Sequence, residues 1–178
     1  AEDGIRDSVA SRGLGDVYKR QALQNGLTNV GSLMLGPERW TTPTNWEGIL
    51  DKPYSHHAMT HSIGNHLEHL LLLDRFHVSA FARLLERMDQ IKEINGTTLL
   101  DNTIFTLGAG MGDGTTHQYN DLPLVVAGGG GGNLKMGKHV HCKRGTPLAN
   151  LWLTQLRALG IERDNYADSN GTVSEIQA

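Results

Sequence analysis

Two short stretches hold side chains of the kind that bind metal ions. In His56-His57-Ala58-Met59-Thr60-His61-Ser62, three imidazoles fall within six residues, and imidazole is the commonest transition-metal ligand. Set in a turn, several of them can point at one small volume. The same spacing also suits a solvated turn, so a site needs further ligands from elsewhere. Gly108 to His117 (GAGMGDGTTH) offers them: Asp113 brings a hard oxygen and His117 another imidazole, a mixture suited to zinc, manganese or iron. Gly108, Gly110, Gly112 and Gly114 permit sharp turns and close approach to a ligand, the alternative being a flexible loop with solvated tips. A dinucleotide site is disfavoured, because no helical pattern follows the loop as a Rossmann turn requires.

The remaining candidates are weaker. His139 and His141 alternate, so an extended segment would put them on one face, but Lys138, Lys143 and Arg144 oppose a cation there. Five consecutive glycines, Gly128 to Gly132, read as a mobile turn rather than a phosphate cradle. His77 falls near an apolar helical stripe and reads as a hydrogen-bonded core histidine. His66 and His69 are expected to face solvent. Cys142, the single cysteine, has no disulfide or CxxC partner and no identifiable base beside it, so it is assigned no role.

Positioning these stretches requires a scaffold, and the chain suggests one. Over 22–35, Leu23, Leu27, Val30 and Leu33 or Met34 recur at helical spacing despite Gly26 and Gly31, which predicts a short helix running into a strand. Gly36 to Tyr54 carries three prolines, two tryptophans and no period, as an ordered loop would. Asn65 and Glu68 have the form of a helix cap, after which Leu67, Leu70, Leu71, Phe81, Leu84, Leu85, Met88 and Ile91 share one face. That helix is expected to end at Asn95-Gly96, after about 29 residues or roughly 44 Å. Thr103 to Leu107 (TIFTL) and Leu122 to Ala127 (LPLVVA) are apolar runs without polar alternation, the pattern of strands covered on both faces. Thr146 and Pro147 open a final helix whose stripe is Leu148, Leu151, Trp152 and Leu159, stopped by Gly160. Strand, loop, strand and helix predict an α/β fold with a mixed or mostly parallel sheet flanked by helices. The loop 108–117 would then lie at a strand's carboxyl end, where open α/β sheets bind ligands.

Composition narrows the partners. With 16 basic and 19 acidic residues interspersed, the net charge of −3 gives no footprint for nucleic acid or an anionic membrane. The run of leucines from Leu70 to Leu73, like the other apolar runs, is far short of the ~20 residues that span a bilayer, and no signal segment opens the chain. Residues 1–21 lack an apolar period, and IRDSVASRGLGDVYKRQ resembles translated linker sequence from assembled metagenomic reads. They are set aside as linker-derived, leaving 22–178 as the C-terminal part of one domain.

The order ALQNGLTNVGSLML, HHAMTHS, DRFHVSAFARLLERM, GTTLLDNTIFTLGAGMGDGTTHQYNDLPLVVAGGGGGNLKMGKH and TPLANLWLTQLRALGI resembles the C-terminal half of the bacterial family named for its His-x-x-Ser-His-His (HXXSHH) motif. The likeness covers roughly residues 22 to 174. The motif falls on His57-Ala58-Met59-Thr60-His61-Ser62, where Thr60 replaces serine and Ser62 the last histidine. Members of that family are similar in turn to exported bacterial proteins related to alkaline phosphatases and sulfatases. The resemblance therefore implies an alkaline-phosphatase-like fold incomplete at its N-terminus, a divalent metal ion on His57, His61, Asp113 and His117, and an exported location. It further implies a metal-dependent hydrolase acting on a small-molecule or polymeric phosphate or sulfate ester, with the nucleophile in an upstream part. A non-catalytic exported or envelope-associated binding protein with a structural metal is the competing reading, and the missing motif histidine favours it.

Overall fold

A computed structural model describes residues 21–36, 39 and 41–178. Residues 1–20, nearly all of the segment set aside as linker-derived, lie outside the described residues, as do Pro37, Glu38 and Trp40 of the expected loop. The chain divides into two compact units. Unit 1 joins the chain up to Glu86 with Gly108–Leu124, and unit 2 joins Arg87–Leu107 with Val125–Ala178. Among the described residues no helix is long and apolar enough to cross a membrane.

Unit 1 opens with a single helical turn over 21–24, ended where Gly26 takes φ +65°. Leu27, Val30 and Met34 are 79, 81 and 75% exposed, so the helix-to-strand element expected over 22–35 does not form. From Thr41 on, the expected loop is held by bonds of its own backbone. Thr44 and Tyr54 pair through two backbone hydrogen bonds of 2.9 and 3.0 Å around a 3-10 turn at Trp46–Gly48. Trp46 and Leu50 drop from this loop into a core with Met59 and Leu73.

Two helices follow, α1 (His56–Thr60) and α2 (Ile63–Asp89). Ser55 caps α1, its side chain accepting from the Ala58 amide at 3.2 Å, which satisfies one of the donors a helix start leaves unpaired. The long α2 is the expected helix with its ends moved. It begins two residues before Asn65, and its covered stripe advances by three or four residues at a time through Leu70, Leu73, His77, Phe81, Leu84 and Met88, all half-buried or buried. Leu67 and Leu71, placed on that face by spacing, are instead 49 and 48% exposed.

In unit 2 the helix stops at Asp89, and Asn95-Gly96 serves a hairpin turn instead of a helix cap. Lys92 bridges Thr98, Glu93 N–H donates to Thr97 O at 2.9 Å, and Gly96 sits at φ +86°. Asn-Gly is the strongest short hairpin signal as well as a helix terminator, so the dipeptide alone does not choose.

The sheet overturns the α/β prediction. Strands β1 (Phe105–Gly108) and β2 (Leu124–Ala127) make a two-stranded sheet among the described residues. Ala109 N–H donates to Pro123 O and Gly130 N–H donates to Thr103 O, so numbers rise on one strand as they fall on the other and the pair is antiparallel. It is therefore not a mixed or mostly parallel sheet flanked by helices, and not an alkaline-phosphatase-like fold. The physical reason is the connection 109–123, which contains no helix to carry the chain across to a parallel neighbour. Nor are the strands covered on both faces: their residues are at most half-buried, and Val125 is 49% exposed.

The five-glycine run is an ordered turn, contrary to the mobile one expected. Gly129, Gly130 and Gly131 donate to Leu100 O, Thr103 O and Asp101 O at 3.2, 3.2 and 2.9 Å. Behind it lies α3 (Ala149–Ala158), whose C-terminal carbonyl at Ala158 accepts from Asn133 Nδ2 at 2.8 Å. Gly160 takes φ +78° just beyond, as the expected stop. Leu151 is buried as predicted, but Leu159 is 56% exposed, and the inner face belongs to Asn150, Leu153 and Thr154.

Thr154 is wholly covered. Its hydroxyl donates to Asn150 O at 2.7 Å and accepts the Val173 amide at 2.8 Å, tying the C-terminal segment to α3. Thr154→Val keeps the shape and strands a buried N–H, so it should lower unit 2 stability by about 2 kcal/mol in urea unfolding. Thr154→Ser, which keeps the hydroxyl, should recover most of the hydrogen-bond contribution. Equal losses in the two variants would show that the hydroxyl contributes nothing.

Candidate metal centre

All four residues proposed as ligands belong to unit 1. Met59 anchors α1 with 1% exposure. Residues two before and two after it lie roughly 200° away in either direction on a helix, so His57 and His61 both turn from the core and stand one helical turn apart. Their ring centroids are 4.6 Å apart at 79°. His56 goes elsewhere: its ring is half-buried, edge-on to Trp46 at 6.2 Å, and does not replace the missing motif histidine. Burial holds its imidazole below the ordinary value, opposed by Asp74 and helped by His57.

The second stretch forms a closed loop. Gly112 N–H donates to Gln118 O at 2.9 Å and Gln118 N–H to Asp113 O at 3.0 Å. Between these bonds, Asp113 takes the Thr115 amide on Oδ1 at 2.8 Å and the Thr116 hydroxyl on Oδ2 at 2.7 Å. The glycines admit this chain's own atoms rather than a ligand: a Cβ on Gly112 would lie 1.9 Å from Asn120 O, and one on Gly114 3.0 Å from Thr60 Cβ. His117 is held at φ +56°, a left-handed conformation that histidine takes more readily than most residues.

Loop and helix meet through two contacts. Thr115 Oγ1 donates to Thr60 O at 2.8 Å, and His117 Nε2 lies 3.2 Å from His61 Nε2. Both side chains of the imidazole pair are exposed. Without a metal, 3.2 Å is an N–H···N hydrogen bond. Two nitrogens held about 2.05 Å from one tetrahedral ion would be about 3.3 Å apart, so the same pair is spaced as ligands are. His57 stacks 6.4 Å from His117, too far to complete the pair as it stands. Partial burial, then His61, Arg39 and His117, keep its imidazole below the ordinary value and so favour the neutral form. Among the described residues no group of three or more His, Cys, Asp or Glu is arranged to hold one ion. An open cleft of about 530 Å³ lies beside the pair, lined by Thr60, Ile63, Leu70 and the 112–115 segment.

His61 and His117 thus come together from the two stretches, while Asp113 is occupied by its own loop. His139, His141 and Cys142 are exposed in unit 2. The Thr60–Thr115 contact that joins the stretches has no signal in the sequence, whereas Ser55 before the histidines is a readable helix cap.

The Asp113 bonds have a measurable consequence. The Thr116 hydroxyl, then the Thr115 amide, lowers its carboxyl below the usual 3.8. A depressed carboxyl stabilises the fold above its unfolded pKa and loses that contribution as pH falls through the folded value. The Thr115 and Thr116 amide resonances should therefore titrate with a midpoint below 3.8, and Asp113→Asn should abolish the transition. A midpoint at or above 3.8 would mean that these bonds do not favour the carboxylate.

Compared with protein-family models, curated proteins and solved structures, the chain finds no match.

Proposed function

We propose that this chain binds a divalent transition-metal ion (zinc, manganese or iron) through His61 and His117, and belongs to an exported metal-dependent hydrolase of phosphate or sulfate esters. The observation that carries the metal reading is the 3.2 Å approach of two Nε2 atoms from residues far apart in sequence. The hydrolase and export readings rest on the sequence resemblance and on the donor chemistry, with no support from the fold. A bound ion would supply Lewis acidity and an activated water. His57, biased towards its neutral form, is in the state that accepts a proton or a metal. Asp113 positions the loop that carries His117.

The residues around the pair bind and orient rather than attack. Thr60 Oγ1 donates to His57 O and Thr115 Oγ1 to Thr60 O, both at 2.8 Å, so neither hydroxyl faces a base that would activate it. These spent hydroxyls, with both Asp113 oxygens already engaged, favour a second reading: a non-catalytic binding protein with a structural metal.

Elemental analysis after mild dialysis tests the metal reading. The His61→Ala/His117→Ala variant should lose about one ion per chain relative to the parent while keeping its circular dichroism. An unchanged metal content would overturn it. Chelator-sensitive turnover of any phosphate or sulfate ester by the loaded parent supports the hydrolase, and its absence across a broad panel supports the binding protein.

A further inference from the structure

Another pair of imidazoles stands in the first turns of α2, where solvent-facing side chains were expected. His66 and His69 are half-buried, three residues apart on one helix face, and their Nδ1 atoms approach to 3.3 Å. Both rings rest on Tyr54, that of His66 nearly perpendicular at 5.3 Å and that of His69 tilted at 4.6 Å. Tyr54 is itself fixed by its paired backbone bonds with Thr44 and by packing on the Trp46, Leu50, Met59 and Leu73 core. On the far side of His69, Nε2 lies 3.5 Å from Asp51 Oδ1.

We infer that His66 and His69 form a second chelating site for a divalent transition-metal ion, separate from the His61/His117 pair. The Asp51 carboxylate near Nε2 favours the tautomer of His69 that carries its proton there, which leaves the Nδ1 lone pair facing His66. This is the carboxylate–histidine–metal arrangement by which outer contacts orient a ligand and raise its basicity. In the metal-free protein His66 Nδ1–H fills that lone pair. A metal takes its place once the His66 proton shifts to Nε2, and no net proton need leave. The spacing again matches the roughly 2.9 to 3.3 Å between neighbouring ligand nitrogens at right-angled or tetrahedral geometry. Because Tyr54 already immobilises both rings, binding forfeits little rotamer freedom. Lys52, whose Nζ is 5.4 Å from the Tyr54 ring, opposes the ion and sets a limit on affinity.

Nickel ion alone is a suitable probe, since imidazole suits it and it gives a paramagnetic readout. In tag-free protein carrying His61→Gln/His117→Gln, calorimetry should still show one nickel per chain. It should be lost on adding His66→Gln, and weakened about tenfold by Asp51→Asn. In the same background nickel should broaden the Tyr54 ring protons selectively. Nickel binding that survives His66→Gln/His69→Gln in that background, or that leaves Tyr54 sharp, would overturn the proposal. Failure of the first site is a separate outcome: the parent would then bind a single nickel, removed by His66→Gln/His69→Gln and untouched by His61→Gln/His117→Gln.

Discussion

Gly112→Ala, which alters no imidazole, should abolish the pairing of His61 with His117 and weaken zinc binding there by about a hundredfold, the upper end of what loss of supporting contacts costs a metal site. The added methyl would lie 1.9 Å from Asn120 O and 3.1 Å from Asp121 O, both backbone atoms that cannot swing aside as a side chain can. The loop must therefore move, and the hydrogen bond that closes it starts from Gly112 itself. His117 rides on that loop in a left-handed conformation, φ +56°. Gly64→Ala is the control: it sits in α2 with nothing within 4 Å of its new methyl, and should be neutral or stabilising by about 0.5–1 kcal/mol. Zinc calorimetry on both variants, with the Asp51, His66 and His69 site removed, gives the comparison. Parental affinity in Gly112→Ala would show that the loop does not position His117.

Gly128→Ala should be the most damaging single methyl in unit 2. Two independent penalties meet at this position. Its φ of +93° is one that side chains rarely adopt, and the methyl would stand 2.1 Å from Thr103 O and 2.9 Å from Leu100 O. Together they should cost about 3 kcal/mol or more, lowering the melting temperature by roughly 10 °C or more. Gly131→Ala, left-handed but with open space around its methyl, isolates the conformational share and should cost about 1–2 kcal/mol. If both variants melt alike, the close approach of Gly128 to Thr103 does not exist in solution.

The same glycines show where local reading of a sequence succeeds and where it stops. A run of five glycines has no side chains to pack, and mobility follows from that premise alone. Here the absence of side chains is what lets the backbone lie against Leu100, Asp101 and Thr103, a partner some thirty residues earlier that no local rule identifies. The strands failed similarly. TIFTL and LPLVVA are apolar as buried parallel strands are, but the helix that a parallel pairing needs is missing from 109–123, and that absence was the better signal. In α2 the helical period was plain while its phase was not. Leu67 and Leu71 match the period as well as Leu73 does, and only tertiary packing decides that Leu73 goes inside.

The candidate site was legible in pieces. Imidazoles at 57, 61 and 117 are marked by residue type, and two of them come together. Asp113 was marked by type too, but its nearest donors are Thr115 and Thr116, two and three residues on, a local turn bond that aspartate makes readily. His66 and His69 carry the i, i+3 spacing of a chelate, but nothing in the sequence reveals that Tyr54 shelters them.

Unit 1 is assembled from two stretches interrupted by 87–107, and this discontinuity bears on the order of events during synthesis. A nascent chain that has cleared the ribosome only to Leu107 already owns α1, α2, Tyr54 and the His66/His69 pair, yet lacks the loop that brings His117. The metal pair proposed for function is thus a late product of translation, closed across a span of 56 residues, whereas the helical pair forms within a single turn. Ions met early by the growing polypeptide would find the helical pair first.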